Sequence, residues 1–492
     1  MTIPHLSKSR FLAGLQCHLR LWYKCYEPEL ASEPTPAQQL RFETGDEVGA
    51  LARDRYPGGK LIDEDRNNLT GAIRSTGEVL KSSSIPSIYE ATFSYDDVLI
   101  RADILERAGN GDWNLIEVKS GTKVKDDNLE DVAIQHYVLT QTGFQIERAG
   151  ILNLNNQYVY DGRRLDLKAL FKFEDLGGQV AEMGEQIAAQ IQDLKAMLER
   201  TEPPKVIPSK HCKKPHDCEF FEHCRESMPE HWVVELWKIR EDQLAMLAEM
   251  GISGIRDIPD SFRLNATQAK IRECLINDRE DVASDLGSTL NEYDYPIHFL
   301  DFETVNPAIP RYTDTGPYQV LPFQWSDHIL SKEGSLTHKE YLCSEDKDPR
   351  EELTESLLES LGDKGSICTY GPYEKTVISG LAKNLPRHRD RLDALRDRCK
   401  DLLSRIRRGY YHPGFNGSFS LKSVLPVLVP SLSYEDLSIQ EGTMAGIEYL
   451  KMIAPETPTD EKERIRRELL EYCGQDTLAM VKIREELLKR CR

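Results

Sequence analysis

The stretch IRADILERAGNGDWNLIEVKS, residues 100–120, predicts a β-hairpin that carries charged side chains. Apolar and polar residues alternate over its first six positions, which is typical of a half-buried strand. The Gly, Asn and Asp cluster in its middle predicts a turn, and WNLIEV after it predicts the second strand. Side chains two residues apart point to one face of a strand, so Glu117 and Lys119 share a face. We expect Asp103, on the first strand, to lie beside them.

Two carboxylates and one amine at the end of a sheet have a chemical use. Carboxylate oxygens are the ligands that Mg²⁺ and Mn²⁺ prefer. Such an ion can activate water and neutralise the charge of a phosphodiester, and a lysine can stabilise negative charge that develops during attack. A surface hairpin with a salt-bridged Glu–Lys pair would have the same sequence. The hairpin alone therefore leaves both interpretations open.

Asp103, with Glu117 and Lys119 two residues apart after the turn, resembles the core of the PD-(D/E)XK nucleases in its RecB-like form. Gln135, in DVAIQHYVL, and Glu90, in YEATF, extend the resemblance. It implies that Asp103 and Glu117 hold Mg²⁺ or Mn²⁺, that Lys119 assists the attacking water, and that Gln135 supports the site. The N-terminal stretch FETGDEVGALA lacks the histidine that many relatives carry, which leaves the third metal ligand open.

Four of the eleven cysteines are placed to share a second kind of site. Cys17 precedes the hairpin, whereas Cys212, Cys218 and Cys224 are evenly spaced in a Pro- and Lys-rich loop after it. Four thiolates suit zinc and a [4Fe–4S] cluster equally, so the ligand count does not separate them. The layout of one cysteine before and three after the core resembles the iron–sulfur RecB-like nucleases. That resemblance implies a structural [4Fe–4S] cluster that joins the two ends of the domain.

The C-terminal half carries a second group of acids. In IHFLDFETV, Asp301 and Glu303 are two residues apart and share one face of a predicted strand. The last predicted helix carries Tyr472 and Asp476, an i, i+4 pair that lies on one helix face. A helix that directly follows another predicted strand carries Glu374. Because that helix begins just after a strand, we expect Glu374 to lie at the sheet edge beside Asp301 and to face Asp301 and Asp476.

This half resembles the DEDD exonucleases of the DnaQ type, which have a ribonuclease-H-like fold. The DFE sequence matches their first motif, and Tyr472 with Asp476 matches the tyrosine form of the third. The second motif departs from the pattern, because relatives have Asn and Asp where this chain has Tyr370 and Glu374. Asp401 is the competing candidate for that motif. The resemblance implies that Tyr472 positions a water molecule beside two metal ions, which are held by Asp301, Glu303, Glu374 and Asp476.

The composition sets limits on what the chain can be. Its 492 residues suit two or three domains. The net charge of −19 argues against a generally basic nucleic-acid-binding surface but is compatible with a local groove. No apolar run reaches the ~18 residues that a transmembrane helix needs, and the N-terminus lacks the apolar segment of a signal peptide. We therefore expect a cytoplasmic protein without a membrane partner, whose cysteines are thiols or metal ligands rather than disulfides.

Taken whole, the chain resembles a bacterial family, otherwise of unknown function, that fuses the two nuclease folds. The resemblance implies an α/β fold class: a RecB-like, restriction-endonuclease-like domain with the iron–sulfur cysteines over residues 1–228, a helical bridge over 229–290, and a ribonuclease-H-like DEDD exonuclease domain over 291–492. It implies a metal-dependent nuclease with two sites, acting on DNA rather than RNA in repair, recombination or defence. The alternative is a nucleic-acid-binding scaffold in which one or both sites are inactive.

Two smaller predictions concern individual segments. Gln157–Tyr160 is expected to form a strand that follows Ala149–Asn153. Residues 405–422, RIRRGYYHPGFNGSFSLK, combine cations with aromatic side chains. Cations bind phosphates and aromatic rings stack on bases, so this stretch is a candidate contact for a single strand. A loop packed over the sheet would have the same composition.

Overall fold

The computed structural model describes residues 4–65 and 68–491, which divide between two compact units. Unit 1 consists of Met1–Ser227 and Pro307–Gln319, and unit 2 consists of Met228–Asn306 and Val320–Arg492. Both units contain helices and β-sheets, so the predicted α/β class is confirmed. None of the helices in the described ranges combines the length and the apolar character that a membrane span requires.

The sheet of unit 1 is built around the predicted hairpin. Its strands in the described ranges are β1 (Leu6–Ser7), β2 (Lys60–Leu61), β3 (Ser87–Tyr95), β4 (Val98–Arg107), β5 (Trp113–Lys119), β6 (Ile146–Leu154) and β7 (Phe171–Asp175). They have the order β2-β3-β4-β5-β6-β7, and β1 pairs with the start of β4. The β3–β4 and β4–β5 pairs are antiparallel, whereas β5 and β6 are parallel. The hairpin therefore lies at the centre of the sheet, where both faces can be covered.

The helices of unit 1 cover both faces of this sheet. They are α1 (Lys8–Gln16), α2 (His18–Tyr26), α3 (Pro36–Arg55), α4 (Leu69–Leu80), α5 (Asp126–Gln141), α6 (Leu167–Leu170), α7 (Gly177–Glu182), α8 (Gly184–Leu198) and α9 (Phe221–Arg225). Leu105 and Leu115 pack with residues of α5 and α8, whereas Ile104 and Ile116 pack with residues of α3. Because side chains alternate along a strand, the odd-numbered residues of β5 face α5. That parity turns Glu117 and Lys119 towards α5.

Unit 2 contains a mixed sheet. Its strands in the described ranges are β8 (Asp281–Val282), β9 (Ile297–Val305), β10 (Leu321–Leu330), β11 (Leu336–Leu342), β12 (Ser366–Thr369), β13 (Cys399–Asp401) and β14 (Tyr410–Tyr411). The main sheet has the order β11-β10-β9-β12-β13, and β14 pairs with β8 separately. The pairs of β10 with β9 and β11 are antiparallel, whereas β12 runs parallel to β9 and β13. The strand with the DFE sequence, β9, is thus the central strand.

The helices of unit 2 form layers on both faces of the main sheet. They are α10 (Glu241–Glu249), α11 (Ala266–Asn277), α12 (Leu286–Leu290), α13 (Arg350–Leu361), α14 (Tyr373–Asn384), α15 (Arg389–Arg398), α16 (Leu402–Gly409), α17 (Leu421–Leu428), α18 (Gly442–Ile453) and α19 (Thr459–Arg490). Leu300 and Phe302 pack into a cluster with α13, α14 and α15. The opposite face of β9 packs against α18 and α19. Strand β9 is mostly apolar because both of its faces are covered.

The segment Pro307–Gln319 follows β9 in the chain and yet belongs to unit 1. Its main chain pairs with that of Tyr160, which donates to the carbonyl of Thr315 and accepts from Asp314, both at 2.9 Å. Ala308 joins the apolar cluster between the sheet and α3. The chain therefore passes from unit 2 back to unit 1 and returns.

The structure bears on two segments for which the sequence made a prediction: the expected strand at Gln157–Tyr160 and the expected helical bridge over 229–290. Gln157–Tyr160 is not a strand, because only Tyr160 forms a β-bridge, and its partner is Thr315. The alternation there reflects the packing of Tyr158 and Tyr160 against the α3 cluster. The helical residues 229–290 group with the C-terminal strands in unit 2.

Candidate active sites

The first site lies in unit 1, where β4, β5 and α5 meet. Asp103 is on β4, Glu117 and Lys119 are on β5, and Gln135 is on α5. The main-chain N–H of Val118 donates to Asp103 Oδ2 at 2.7 Å. That bond fixes the carboxyl group of Asp103 beside the strand that carries Glu117.

Glu117 accepts hydrogen bonds at both carboxylate oxygens. Lys119 Nζ donates to Oε1 and Gln135 Nε2 donates to Oε2, each at 2.8 Å. Asp131, which sequence reasoning missed, joins them, since Gln135 Nε2 lies 3.1 Å from its Oδ1 and Lys119 Nζ lies 2.5 Å from its Oδ2. Asp131 is one helical turn before Gln135, so the i, i+4 spacing was a usable signal for it.

A second amine, Lys8, also reaches this site. Its Nζ lies 2.9 Å from Glu117 Oε1 and 3.0 Å from Asp131 Oδ1. Lys8 is the first residue of α1, and its side chain is only 20% exposed. No sequence signal indicated it, because 109 residues separate it from Glu117. The site therefore contains two lysines where the sequence predicted one.

The two predicted metal-binding acids of the first site differ in their affinity for protons. Burial, followed by the negative charge of Glu117, raises the pKa of Asp103 to about 8. Burial alone would also raise the pKa of Glu117, but Lys119 and Lys8 outweigh it and hold that pKa well below its usual range. The two lysines therefore favour the charged form of Glu117, whereas burial and the charge of Glu117 disfavour the charged form of Asp103.

An open cleft of about 1020 Å³ adjoins the first site, and both Asp103 and Glu117 line it. Glu90 lines it too, and lies opposite Asp103 between the paired positions of β3 and β4. Burial raises the pKa of Glu90, with Arg101 opposing the effect from 3.9 Å. The helix that lacks the histidine, α3, contributes Asp46 to the cleft wall. Acidic side chains thus line much of the cleft, together with Arg53 and Arg101.

The four predicted cluster cysteines line one small cavity of unit 1. Cys17 lies between α1 and α2, and Cys224 lies on α9. Cys212 ends a short 3₁₀ turn, and its carbonyl accepts from the N–H of Cys218 at 2.8 Å. Burial raises the pKa of Cys218 to about 12 and that of Cys224 to about 11. In the absence of a metal, these thiols are neutral.

Polar contacts hold the cysteine loop against the N-terminal helices. Gln16 Nε2 donates to the carbonyls of His211 and His216, at 2.6 and 2.8 Å. Arg20 Nε donates to Glu219 at 2.8 Å, and Lys24 also pairs with Glu219. Four thiols around one cavity fit either group that accepts four thiolates, zinc or a [4Fe–4S] cluster.

The second site lies in unit 2, on the face of β9 that packs against α19. Asp301 and Glu303 are on β9, Glu374 is in the first turn of α14, and Tyr472 and Asp476 are on α19. Glu303, Glu374 and Asp476 are buried. The structure thus brings the predicted acids of this half into one pocket.

Burial raises the pKa of every acid in this pocket, and repulsion between carboxylates adds to it at Asp301, Glu303 and Glu374. For Asp301, burial acts first, and the charges of Asp476, Glu303 and Glu374 add to it. Burial and the charge of Asp476 raise the pKa of Glu303. Burial raises the pKa of Glu374 to about 7 and that of Asp476 to about 6. Four carboxyl groups at this density cannot all be charged unless cations are present.

Two further residues of this pocket were not predicted as site residues. The hydroxyl of Tyr434 donates a hydrogen bond to Asp476 Oδ1. Lys422 lies beside both acids and the aromatic rings, with its Nζ 5.5 Å from the ring centre of Tyr472. Lys422 is the cation whose charge lowers the pKa values of Glu303 and Asp476. Both residues come from loops or short helices distant in sequence from DFE.

The structure distinguishes Glu374 from Asp401. The carboxyl group of Glu374 hydrogen-bonds to Asp301, and its Oε2 is buried without a partner. Asp401 instead caps α16, where its Oδ1 accepts from the N–H of Ser404 at 3.1 Å. Asp401 is still close enough to raise the pKa of Glu374. Of the two candidates, Glu374 is the one whose carboxyl group contacts the other acids.

The aromatic residues of segment 405–422 are not available for stacking on bases. Tyr410, Tyr411, Phe415 and Phe419 are at most 1% exposed and contact one another. The interpretation as a packed loop is therefore the correct one for the rings. Their alternation with arginines arises because β14 and the following turn fill a core next to α11.

A family described as "Domain of unknown function (DUF2779)" matches residues 298–420 of this chain. The matched stretch contains Asp301, Glu303 and Glu374 and ends before Tyr472 and Asp476. No curated protein and no solved structure matches the chain.

Proposed function

We propose that this protein is a divalent-metal-dependent nuclease that hydrolyses phosphodiester bonds of DNA, with single strands or ends as its substrates. The observation that carries the proposal is the surplus of carboxyl groups in the second site, where four acids share a pocket with Lys422 as the nearby cation. Burying unpaired carboxylates is costly unless they coordinate a cation. Asp301, Glu303, Glu374 and Asp476 fit that role, because Mg²⁺ and Mn²⁺ prefer carboxylate oxygens.

The roles of the protein residues in the second site follow from their contacts. The four acids would hold the ions, whose chemistry is to activate water and to neutralise phosphate charge. Tyr434 orients Asp476 through its hydrogen bond. Tyr472 is one helical turn from Asp476, where its hydroxyl can position the attacking water. Lys422 supplies positive charge at the pocket for a phosphate. The strand arrangement around this site supports a ribonuclease-H-like fold.

The first site supports the same reaction class at a second location. Asp103 and Glu117 line an open cleft, and Lys119 contacts Glu117 while Gln135 holds its other oxygen. In this proposal Asp103 and Glu117 hold a divalent ion, and Lys119 stabilises the charge that develops on the phosphate. The sheet of unit 1 is mixed and has this hairpin at its centre, which supports a PD-(D/E)XK fold of RecB-like type.

A [4Fe–4S] cluster is the proposed occupant of the cysteine site. Four thiols from the two ends of unit 1 surround one cavity. Four thiolates are the donors that such a cluster requires, which supports this proposal. The bound cluster would hold α1 and α2 against the loop that carries Cys212 and Cys218. Its proposed role is structural.

One observation favours a second candidate function for unit 1, a nucleic-acid-binding scaffold with an inactive first site. Lys8 and Lys119 together balance the charges of Glu117 and Asp131. A site that is already neutral binds a divalent ion more weakly than a site with a surplus of carboxylates. Activity at the second site alone would support this candidate.

The decisive experiment measures cleavage of end-labelled single-stranded DNA with Mg²⁺ or Mn²⁺. Asp301→Asn and Lys119→Met each keep the size of the side chain and remove its charge, so each should abolish the activity of its own site. Glu359→Gln, an exposed change on α13, is the control and should cleave as the wild type does. The double variant should be inactive. Cleavage by the double variant at the wild-type rate, or no cleavage by the wild type of either DNA or RNA, would refute the proposal.

A further inference from the structure

A thiol lies inside the second site, among the acids. Cys473 follows Tyr472 on α19 and is completely buried. Its Sγ lies 3.7 Å from Asp301 Oδ2. Asp301, Glu303 and Cys473 each offer one donor atom, and these three atoms all lie within 4.8 Å of one another.

A separate observation indicates that this pocket is built for a ligand. Glu374 hydrogen-bonds to Asp301, and its Oε2 is buried without a hydrogen-bond partner in the protein. A buried carboxylate oxygen without a partner is costly, and a cation beside it would remove that cost. The thiol is therefore one member of a buried donor set that has an unsatisfied oxygen at its edge.

The chemistry of a thiolate is different from that of the carboxylates around it. Mg²⁺ takes oxygen ligands almost exclusively, whereas soft sulfur ligands select zinc and similar ions. Zinc binds both cysteine sulfur and carboxylate oxygen, and a catalytic zinc site has three protein ligands and one open position. Asp301, Glu303 and Cys473 are three such ligands.

We infer that Cys473 is a metal ligand and that one of the ions of the second site, held by Asp301, Glu303 and Cys473, is of the Zn²⁺ class, whereas the remaining carboxylates suit Mg²⁺ or Mn²⁺. The inference rests on the proposed function in that it assigns the ion of the same site. On binding, the thiol releases its proton to solvent and the resulting thiolate coordinates the ion. The competing role for the thiol is donation of a hydrogen bond to Asp301, which would leave the metal with oxygen ligands.

X-ray absorption at the zinc edge separates these two roles. The full-length protein, with its cysteine site loaded, is given one equivalent of Zn²⁺ in excess Mg²⁺. The wild type should show one sulfur neighbour at about 2.3 Å and oxygen neighbours at about 2.0–2.2 Å. Cys473→Ser should lose the sulfur and bind zinc at least tenfold more weakly in a calorimetric titration. A wild-type shell of oxygen alone, or equal zinc affinities, would overturn the inference.

Controls keep the result interpretable. Cys368→Ser removes another buried thiol of the same sheet, one that hydrogen-bonds to Tyr293, and should leave both the sulfur signal and the affinity unchanged. Zinc in the cysteine site would show about four sulfurs, and Cys473→Ser would not alter them. If Cys473→Ser is misfolded by circular dichroism, Cys473→Ala replaces it, and the wild-type spectrum alone still decides whether sulfur is a ligand.

The test of zinc ligation by Cys473 can succeed or fail independently of the test of nuclease activity. Sulfur ligation in a protein that cleaves no nucleic acid would retain the metal assignment and reject the nuclease. Cleavage that requires Asp301, together with an oxygen-only zinc shell, would retain the nuclease and reject Cys473 as a ligand.

Discussion

Removing the charge of Glu374 should stabilise the metal-free protein at high pH. Burial raises the pKa of Glu374 from its ordinary value of 4.5 to about 7. At 1.36 kcal/mol per pKa unit, ionising this carboxyl group in the folded state costs about 3 kcal/mol. Glu374→Gln keeps the shape of the side chain and its hydrogen bonding but has no charge to bury. The folded variant should therefore not be destabilised by ionisation at this position.

The sign of the effect depends on pH. A group whose pKa is raised by folding stabilises the protein fully below its unfolded pKa, and that stability is lost as the pH rises through the folded pKa. Wild type and Glu374→Gln should therefore have similar free energies of unfolding near pH 4.5. Their difference should grow through the window from 4.5 to about 7 and reach about 3 kcal/mol in favour of the variant.

Urea unfolding of EDTA-treated protein over this pH range measures the difference, and hydrogen exchange of peptides from β9 and α19 assigns it to unit 2. Excess Mn²⁺ should reverse the order at high pH, because the wild type gains a charged ligand that the variant lacks. Glu359→Gln, exposed on α13, should show no such pH dependence. Parallel pH curves for wild type and Glu374→Gln would refute the placement of Glu374 among buried acids.

Two further predictions concern unit 1. Lys8→Met should strengthen Mn²⁺ binding at the first site at least tenfold, or by ~1.4 kcal/mol, because it removes a cation 2.9 Å from Glu117. Calorimetry in an Asp301→Asn background isolates that site, and unchanged affinity would show that Lys8 does not compete with the ion. Protein purified without oxygen should be brown with about four irons per chain. Cys212→Ser should lose that iron and lower the melting temperature of unit 1, whereas stoichiometric zinc without iron would refute the cluster.

The parts of the sites that were predictable are those encoded by local periodicity. Glu117 with Lys119, and Asp301 with Glu303, are two residues apart on strands, so the pleat alone puts each pair on one face. Gln135 and Asp131 are likewise related by one helical turn, although only the first was recognised. In each case a short-range geometric rule was sufficient.

The parts that could not be predicted depend on contacts between distant segments. Lys8 reaches Glu117 across 109 residues, and Tyr434 reaches Asp476 across 42, with no repeating pattern to indicate either pair. Burial of the rings at Tyr410 and Tyr411 was equally invisible, because the composition of a packed aromatic loop resembles that of a base-stacking surface. Only the folded chain distinguishes these cases.

The return of Pro307–Gln319 to unit 1 has a consequence for how the protein is made. A ribosome that has finished Ser227 has not yet delivered this segment, whose main chain pairs with Tyr160. The nascent first half must therefore wait for about ninety more residues before its last contacts can form. No single cut in the gene separates the two units cleanly, so a shortened clone that ends near Ser227 would lack part of the core around Ala308.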